Sequence, residues 1–173
     1  MDFVLLPIIF DDLSELAWFD LSMAELPNFL IAGGKNTPLQ VSNEAFAINQ
    51  NETEAKNSLP EPLFGSVTFG NIFCGGKGAD FSARKKCFIY QENGAWTAMN
   101  EELMKPRFGA TSYVFSNGSV WIMGGSGDKS TEIFDGVQWN LGPELPRTLS
   151  QHCLVALEND NFLIIGGKFT LQF

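Results

Sequence analysis

The dipeptide Gly-Gly occurs four times in this chain of 173 residues, at Gly33-Gly34, Gly75-Gly76, Gly124-Gly125 and Gly166-Gly167, each time closing a short apolar run. From Gly33 to Gly75 is 42 residues, from Gly75 to Gly124 is 49, and from Gly124 to Gly166 is 42. Recurrence at this interval marks repeated supersecondary units and argues against a single wound sheet. The runs themselves, such as Val120-Trp121-Ile122-Met123 and Phe162-Leu163-Ile164-Ile165, have the length of strands.

Copies two and three share a strand pattern. Residues 64–69 and 110–115 predict a first strand, Gly70-Asn71 and Asn117-Gly118 a tight turn, and the runs before the glycines a second strand. Asn-Gly predicts a type I′ turn, in which both central residues have positive φ. A polar loop follows each glycine pair, then residues 87–90 or 131–134, a turn at Asn93-Gly94 or Asp135-Gly136, and a strand holding Trp96 or Trp139. Each unit therefore has four strands. Pro106-Arg107 and Pro146-Arg147 look like a further matched landmark, 40 residues apart. The fourth copy offers two strands, at 151–157 and 161–165, and reads as half a unit.

Sixteen phenylalanines and seventeen glycines suit an all-β chain, in which rings pack on pleated faces and glycine supplies positive φ at turns. A formal charge of −9 repels polyphosphate, so nucleic acid is not an expected partner. The one basic cluster, Arg84-Lys85-Lys86, reads as a solvated loop face. No apolar stretch approaches the roughly 18–20 residues of a membrane span. Residues 3–10 are as long as a signal-peptide core, with Ser22-Met23-Ala24 as a small-residue cleavage site, but Asp2, Asp11, Asp12 and Glu15 are the wrong flanks. Residues 1–24 are therefore read as an atypical segment, a leading strand or the remnant of a unit, ahead of a repeat region over 25–173.

Catalysis needs a constellation that is hard to find here. There is one histidine, His152, and its place beside Cys153 at the start of a strand suits a packed or capping side chain. No cluster of His, Cys and carboxylate suggests a metal or cofactor site. Residues 124–130 imitate a phosphate loop, but they join two strands, whereas a phosphate cradle leads into a helix. Cys74 ends the second strand of its unit and Cys87 begins the third, close enough for a disulfide between antiparallel neighbours. Two buried free thiols are the other reading. A disulfide implies an oxidising compartment. Asn51 and Asn117 lie in glycosylation sequons.

The apolar run ending in two glycines, the aromatic Tyr90 or Phe134 further on, and Trp96 or Trp139 after it resemble kelch repeats over roughly residues 25–170. The resemblance implies a β-propeller with blades at about 25–60, 61–105, 106–146 and, in part, 147–173. The first copy departs from the pattern, because Glu54-Ala55-Lys56 stands where a tryptophan belongs, and is read as degenerate. Trp18 and Leu26-Pro27 resemble the end of a preceding blade with about one strand missing. So few blades do not close a ring, and the open strand edges are expected to associate or aggregate. Sedimentation as a monodisperse monomer would contradict this.

By the same resemblance the chain is expected to be a non-catalytic protein-interaction module, part of a longer propeller. Its partner would be a protein or peptide held by loops 35–43, 77–86 and 126–130 and by the links 58–63, 100–107 and 142–148. Lys77, Arg84, Lys85, Lys105, Arg107 and Arg147 are candidate partner-binding residues, suited to an acidic peptide, although the Pro-Arg setting of Arg107 and Arg147 also fits a structural link. A galactose-oxidase-like enzyme uses paired histidines with tyrosines and a cysteine; His152, Tyr90 and Tyr113 do not supply that set, so such a site would need blades outside this sequence. A partial gene product without its own function is the third reading. The BTB and BACK regions of ubiquitin-ligase adaptors are not in the sequence, and a secreted setting is preferred to the cytoplasm.

Overall fold

Each apolar run before a glycine pair forms the second strand of an antiparallel sheet. The computed structural model describes residues 22–25, 29–49 and 52–168, and among these residues the chain is all-β. The first unit holds β1 (Ser22–Glu25), β2 (Phe29–Ala32), a small hairpin β3 (Lys35–Thr37) and β4 (Gln40–Val41), then β5 (Ala45–Ile48) and β6 (Thr53–Lys56), with sheet order β1-β2-β5-β6. The second holds β7 (Val67–Phe69), β8 (Ile72–Cys74), β9 (Cys87–Tyr90) and β10 (Trp96–Ala98). The third holds β11 (Thr111–Val114), β12 (Val120–Met123), β13 (Thr131–Phe134) and β14 (Trp139–Gly142). A two-stranded fourth sheet pairs β15 (Cys153–Ala156) with β16 (Phe162–Ile165).

The four registers coincide. Ser22 pairs with Ala32, Val67 with Cys74, Thr111 with Met123 and Cys153 with Ile165, and each second member directly precedes its glycine pair. Alternation then gives each sheet two apolar faces. In the second sheet Phe73 and Phe88 pack on Leu30, Ala32 and Ala45 of the first, while Val67, Phe69, Cys74 and Cys87 pack on Val120, Ile122 and Trp139 of the third. Tyr113 and Met123 of the third meet Leu154, Phe162 and Ile164 of the fourth. The sheets are thus stacked in chain order, and their first strands β1, β7, β11 and β15 lie side by side.

The glycines are required on two counts. Gly75 and Gly124 have φ of 67° and 62°, and a Cβ built on them would stand 2.6 Å from the Arg107 carbonyl oxygen and 2.5 Å from that of Leu149. Only glycine combines that backbone with that contact.

Sequence expectations change at four points. The first unit has a full four-stranded sheet, although it lacks a tryptophan. Glu54-Ala55-Lys56 runs in β6 beside β5, because backbone pairing needs no aromatic there. Ser22-Met23-Ala24, weighed as a cleavage site against a leading strand and placed ahead of the repeat region, is in β1; its residues are weak strand formers, and pairing with β2 holds them. Trp18 and Leu26-Pro27 lie outside the described residues.

The turn at Asn117-Gly118 is not type I′. Positive φ occurs at Gly118 (84°) but not at Asn117, and the Gly118 N–H donates to the Phe115 carbonyl, so three residues make the loop. The Asn117 side chain accepts the Ser119 N–H at 2.9 Å, a local bond that competes with the left-handed conformation.

The Pro-Arg landmarks, finally, are not equivalent. The N–H groups of Gly34, Gly76 and Gly125 each donate at 2.7 Å to the carbonyls of Leu63, Arg107 and Leu149, which sets Leu149, not Arg147, opposite Arg107. Likewise Leu59, Leu103 and Leu145 donate to Asn43, Lys85 and Lys129.

Candidate functional site

The loops after the glycine pairs lie against the links between units, so the two groups of segments chosen from the sequence do meet. Leu59 and Leu63 bond to Asn43 and Ser42, Leu103 and Arg107 to Lys85 and Arg84, and Leu145 and Leu149 to Lys129 and Asp128. One rim is thereby built from three equivalent loop pairs.

Most of its cations are already engaged. Arg107 is buried; its Nε lies 2.9 Å from Glu132 Oε1, and its other nitrogens donate to the carbonyls of Gly124 and Ser130 and to Ser130 Oγ. Glu132, fully buried, also accepts the N–H groups of Met104 and Lys105 at 2.6 and 3.0 Å. A partner on the rim therefore does not reach Arg107, which corrects its assignment as a contact residue; the sequence did not show that the next unit carries a carboxylate at the matching point. Lys105 pairs with Asp128 at 2.8 Å. Burial pushes the Asp128 carboxyl up, but the Lys105 ammonium and the Ser130 N–H outweigh it and hold the carboxyl well below the usual range.

Arg84 reaches Asp80 at 2.9 Å and Glu61 at 3.4 Å, and the Ser82 N–H with the Arg84 guanidinium lowers the Asp80 pKa. Lys77 lies over the Phe108 ring at 4.7 Å. Lys85 and Arg147 are exposed.

What the sequence reading missed is aromatic. Lys35 stands over Phe64 at 4.5 Å as Lys77 stands over Phe108, one unit on. Phe64 meets Phe108 and Phe81 edge-on, with ring centroids 5.2 and 5.7 Å away. Phe81 is 40% exposed and has φ of 62°, a conformation a bulky side chain rarely adopts. The loop imposes it. The Phe81 N–H donates to Gly78, the Gly78 N–H to Ser82, and the Ser82 N–H to Asp80, whose carboxylate Arg84 clamps. The signal lay in Lys following Gly-Gly and in Phe three residues ahead of a first strand, a match visible only once the register is known.

Trp96 and Trp139 are equivalent structural markers, each directly across from an aromatic, Tyr90 and Phe134. The Trp96 indole donates to the Asn57 carbonyl at 2.6 Å and so ties the second unit to the first.

Cys74 and Cys87 face each other across β8 and β9 and form a disulfide, with Cα atoms 4.1 Å apart; Cys153 is free and exposed. The first sheet has Ala32 and Ala45 at the same two places. Replacing both bonded cysteines by alanine is therefore expected to keep the packing and lose the cross-link, lowering stability by about 2–4 kcal/mol in urea unfolding. Asn117 is exposed at its turn, and Asn51 lies outside the described residues.

His152 directly precedes β15, in the wall of a shallow cleft of about 240 Å³ between Phe108, Gly65 and Gln151. It is buried, and neither ring nitrogen has a partner among the described residues. Burial lowers its pKa below 6.5, so the unfolded chain takes up the proton first as pH falls. Its contribution is whole above pH 6.5 and is lost on acidification through that value. The melting temperature is expected to fall between about pH 7 and pH 5, and His152→Leu to flatten that part of the profile.

Among the described residues no three His, Cys, Asp or Glu side chains stand together as a metal site, and no helix is long and apolar enough to cross a membrane. No protein-family model matches the chain, and no curated protein matches it.

Proposed function

We propose that the chain is a run of kelch-type propeller blades acting as a non-catalytic protein-binding module, with contact made on the rim that carries loops 35–43, 77–86 and 126–130. Equivalent registers, stacked sheets and adjoining first strands support the propeller reading. The observation that carries the binding reading is Phe81. A half-exposed ring held at positive φ costs on the order of 1–3 kcal/mol, and backbone strain of this kind gathers at functional sites. Exposed aromatics on loops braced by a rigid scaffold are the usual anchors of interfaces. Because Arg84, Lys105 and Arg107 are neutralised internally, the partner is a polypeptide that fills an aromatic patch more than one recognised by acidity. The disulfide fits an oxidising compartment.

The test replaces Phe81 with a photo-crosslinking phenylalanine analogue and uses the exposed Val137, on the turn between β13 and β14 at the opposite rim, as control. Adducts to a discrete polypeptide from position 81 and not from 137 are expected. Equal labelling from both positions would overturn the assignment.

A further inference from the structure

In the turn between β11 and β12, Asn117 and Ser119 are joined twice. Asn117 Oδ1 accepts the Ser119 N–H at 2.9 Å and the Ser119 hydroxyl at 2.7 Å. The first bond shapes the turn, and Gly118 with φ of 84° completes it. The second adds nothing to the backbone; it sets a hydroxyl on the amide of the asparagine two residues earlier. Asn117 Nδ2 has no acceptor among the described residues. Ser116, Asn117 and Gly118 are exposed, and a Cβ built on Gly118 meets nothing within 4 Å. Their sheet is packed on one face by Val67 and Phe69 and on the other by Leu154 and Phe162, so this openness belongs to the turn itself. The turn is also braced, because the Ser116 N–H and hydroxyl donate to Asp160 at 3.0 and 2.6 Å.

Other turn asparagines are spent differently. Asn71, between β7 and β8, donates its Nδ2 to the Tyr90 carbonyl at 2.7 Å, and Asn161, beside β16, donates to the carbonyls of Glu158 and Asn159. Asn93, between β9 and β10, accepts the Ala95 N–H at 3.0 Å as Asn117 accepts that of Ser119, but alanine brings no hydroxyl. Of these four, Asn117 alone combines a free amide nitrogen with a hydroxyl held on the amide oxygen.

We propose that Asn117 is the acceptor of an N-linked oligosaccharide. Asn117-Gly118-Ser119 has the acceptor pattern, and the geometry supplies the chemistry that the pattern needs. An amide nitrogen is a poor nucleophile because its lone pair is delocalised. Two donors on Oδ1 stabilise the charge that the oxygen gains when Nδ2 gives up a proton to a base of the transferase, which leaves a lone pair on the nitrogen. Nδ2 then attacks the anomeric carbon of an oligosaccharide carried on a polyisoprenyl diphosphate. The C–N bond forms, the anomeric C–O bond breaks, and the diphosphate leaves with its electron pair, with no change of oxidation state. Both hydrogen bonds span two residues, so the arrangement is open to the chain before its sheets assemble. Donor and transferase belong to the oxidising compartment that the Cys74–Cys87 bond fits; the proposal rests on that bond and is independent of the binding reading. A bulky, water-soluble glycan at this turn stands on the rim opposite loops 35–43, 77–86 and 126–130 and leaves them open.

The full chain, carried into the secretory pathway of a eukaryotic cell by a cleavable leader, tests this. An endoglycosidase that leaves one N-acetylhexosamine on each occupied asparagine is applied, and the peptides are read by mass spectrometry. The retained sugar separates transfer from deamidation of the Asn-Gly pair, and Asn51 is read on its own peptide. The expected result is the sugar on Asn117 in most molecules, in the same sample that yields the Cys74 and Cys87 peptides joined. Asn117→Gln and Ser119→Ala should each lose the sugar at this position. Ser119→Ala keeps the backbone bond to Asn117 Oδ1, and its own Cys74–Cys87 link reports that the chain has folded, so its loss measures the hydroxyl. Unmodified Asn117 in chains whose Cys74 and Cys87 are bonded would overturn the proposal, and so would a Ser119→Ala chain modified as fully as the parent.

Discussion

Replacing Glu132 with alanine is expected to destabilise the protein by about 3–5 kcal/mol, a large part of the roughly 5–15 kcal/mol that holds a domain together. The loss comes less from the attraction removed than from what is stranded. Arg107, 1% exposed, keeps its charge without a counter-ion, and the N–H groups of Met104 and Lys105 lose their acceptor. The chain itself contains the apolar solution to the same place. In the second unit Leu63 takes the position of Arg107 and packs in one cluster with Phe88, which takes the position of Glu132; Pro60, at the position of Met104, has no N–H to satisfy. The triple change Met104→Pro, Arg107→Leu and Glu132→Phe is therefore expected to recover stability to within about 1–2 kcal/mol of the parent, as replacement of buried ion pairs by packed apolar groups often does. Urea midpoints of the single and triple variants, compared at unchanged slope, measure both effects. A single variant as stable as the parent would show that the pair is wet and weak.

The second large effect contrasts two glycines with nearly the same backbone. Gly124 and Gly166 have φ of 62° and 67°, so alanine at either costs about 1–2 kcal/mol for the left-handed conformation. At Gly166 nothing more is added, because among the described residues no atom lies within 4 Å of the new Cβ. At Gly124 the Cβ would come 2.5 Å from the Leu149 carbonyl oxygen, forcing the link between units three and four to move and adding about 1–3 kcal/mol. Thermal melts of the two alanine variants should differ clearly, with Gly124→Ala the less stable. Equal losses would mean that the link yields freely.

The repeat was legible because its signals are local: a period of glycine pairs, turn residues, and aromatics at the third and fourth strands. Trp96 and Trp139 fell where the spacing put them, and Cys74 and Cys87 did meet across adjacent strands. Features that depend on pairing or packing with a separate segment were less legible. Ser22–Glu25 carries weak strand formers and exists as β1 through pairing with β2. The likeness of Pro106-Arg107 to Pro146-Arg147 pointed to a false register, since loop lengths differ between units while the glycine-to-carbonyl bond fixes the true one. The rim was partly visible: its loops could be chosen, but the aromatic row of Phe64, Phe81 and Phe108 is assembled from three segments, and the strain at Phe81 arises from a turn closed by its own neighbours.

The bond from each of the first three glycine pairs to the following link makes each of those sheets depend on the one after it, so cooperativity here runs along a line. Unravelling should accordingly begin at a terminus and travel inward, as in a linear array of coupled spins. Amide protons of Phe73 and Ile122, which sit in sheets flanked on both sides, should be among the last to exchange with deuterium, while those of Leu163 and Ile165 go early.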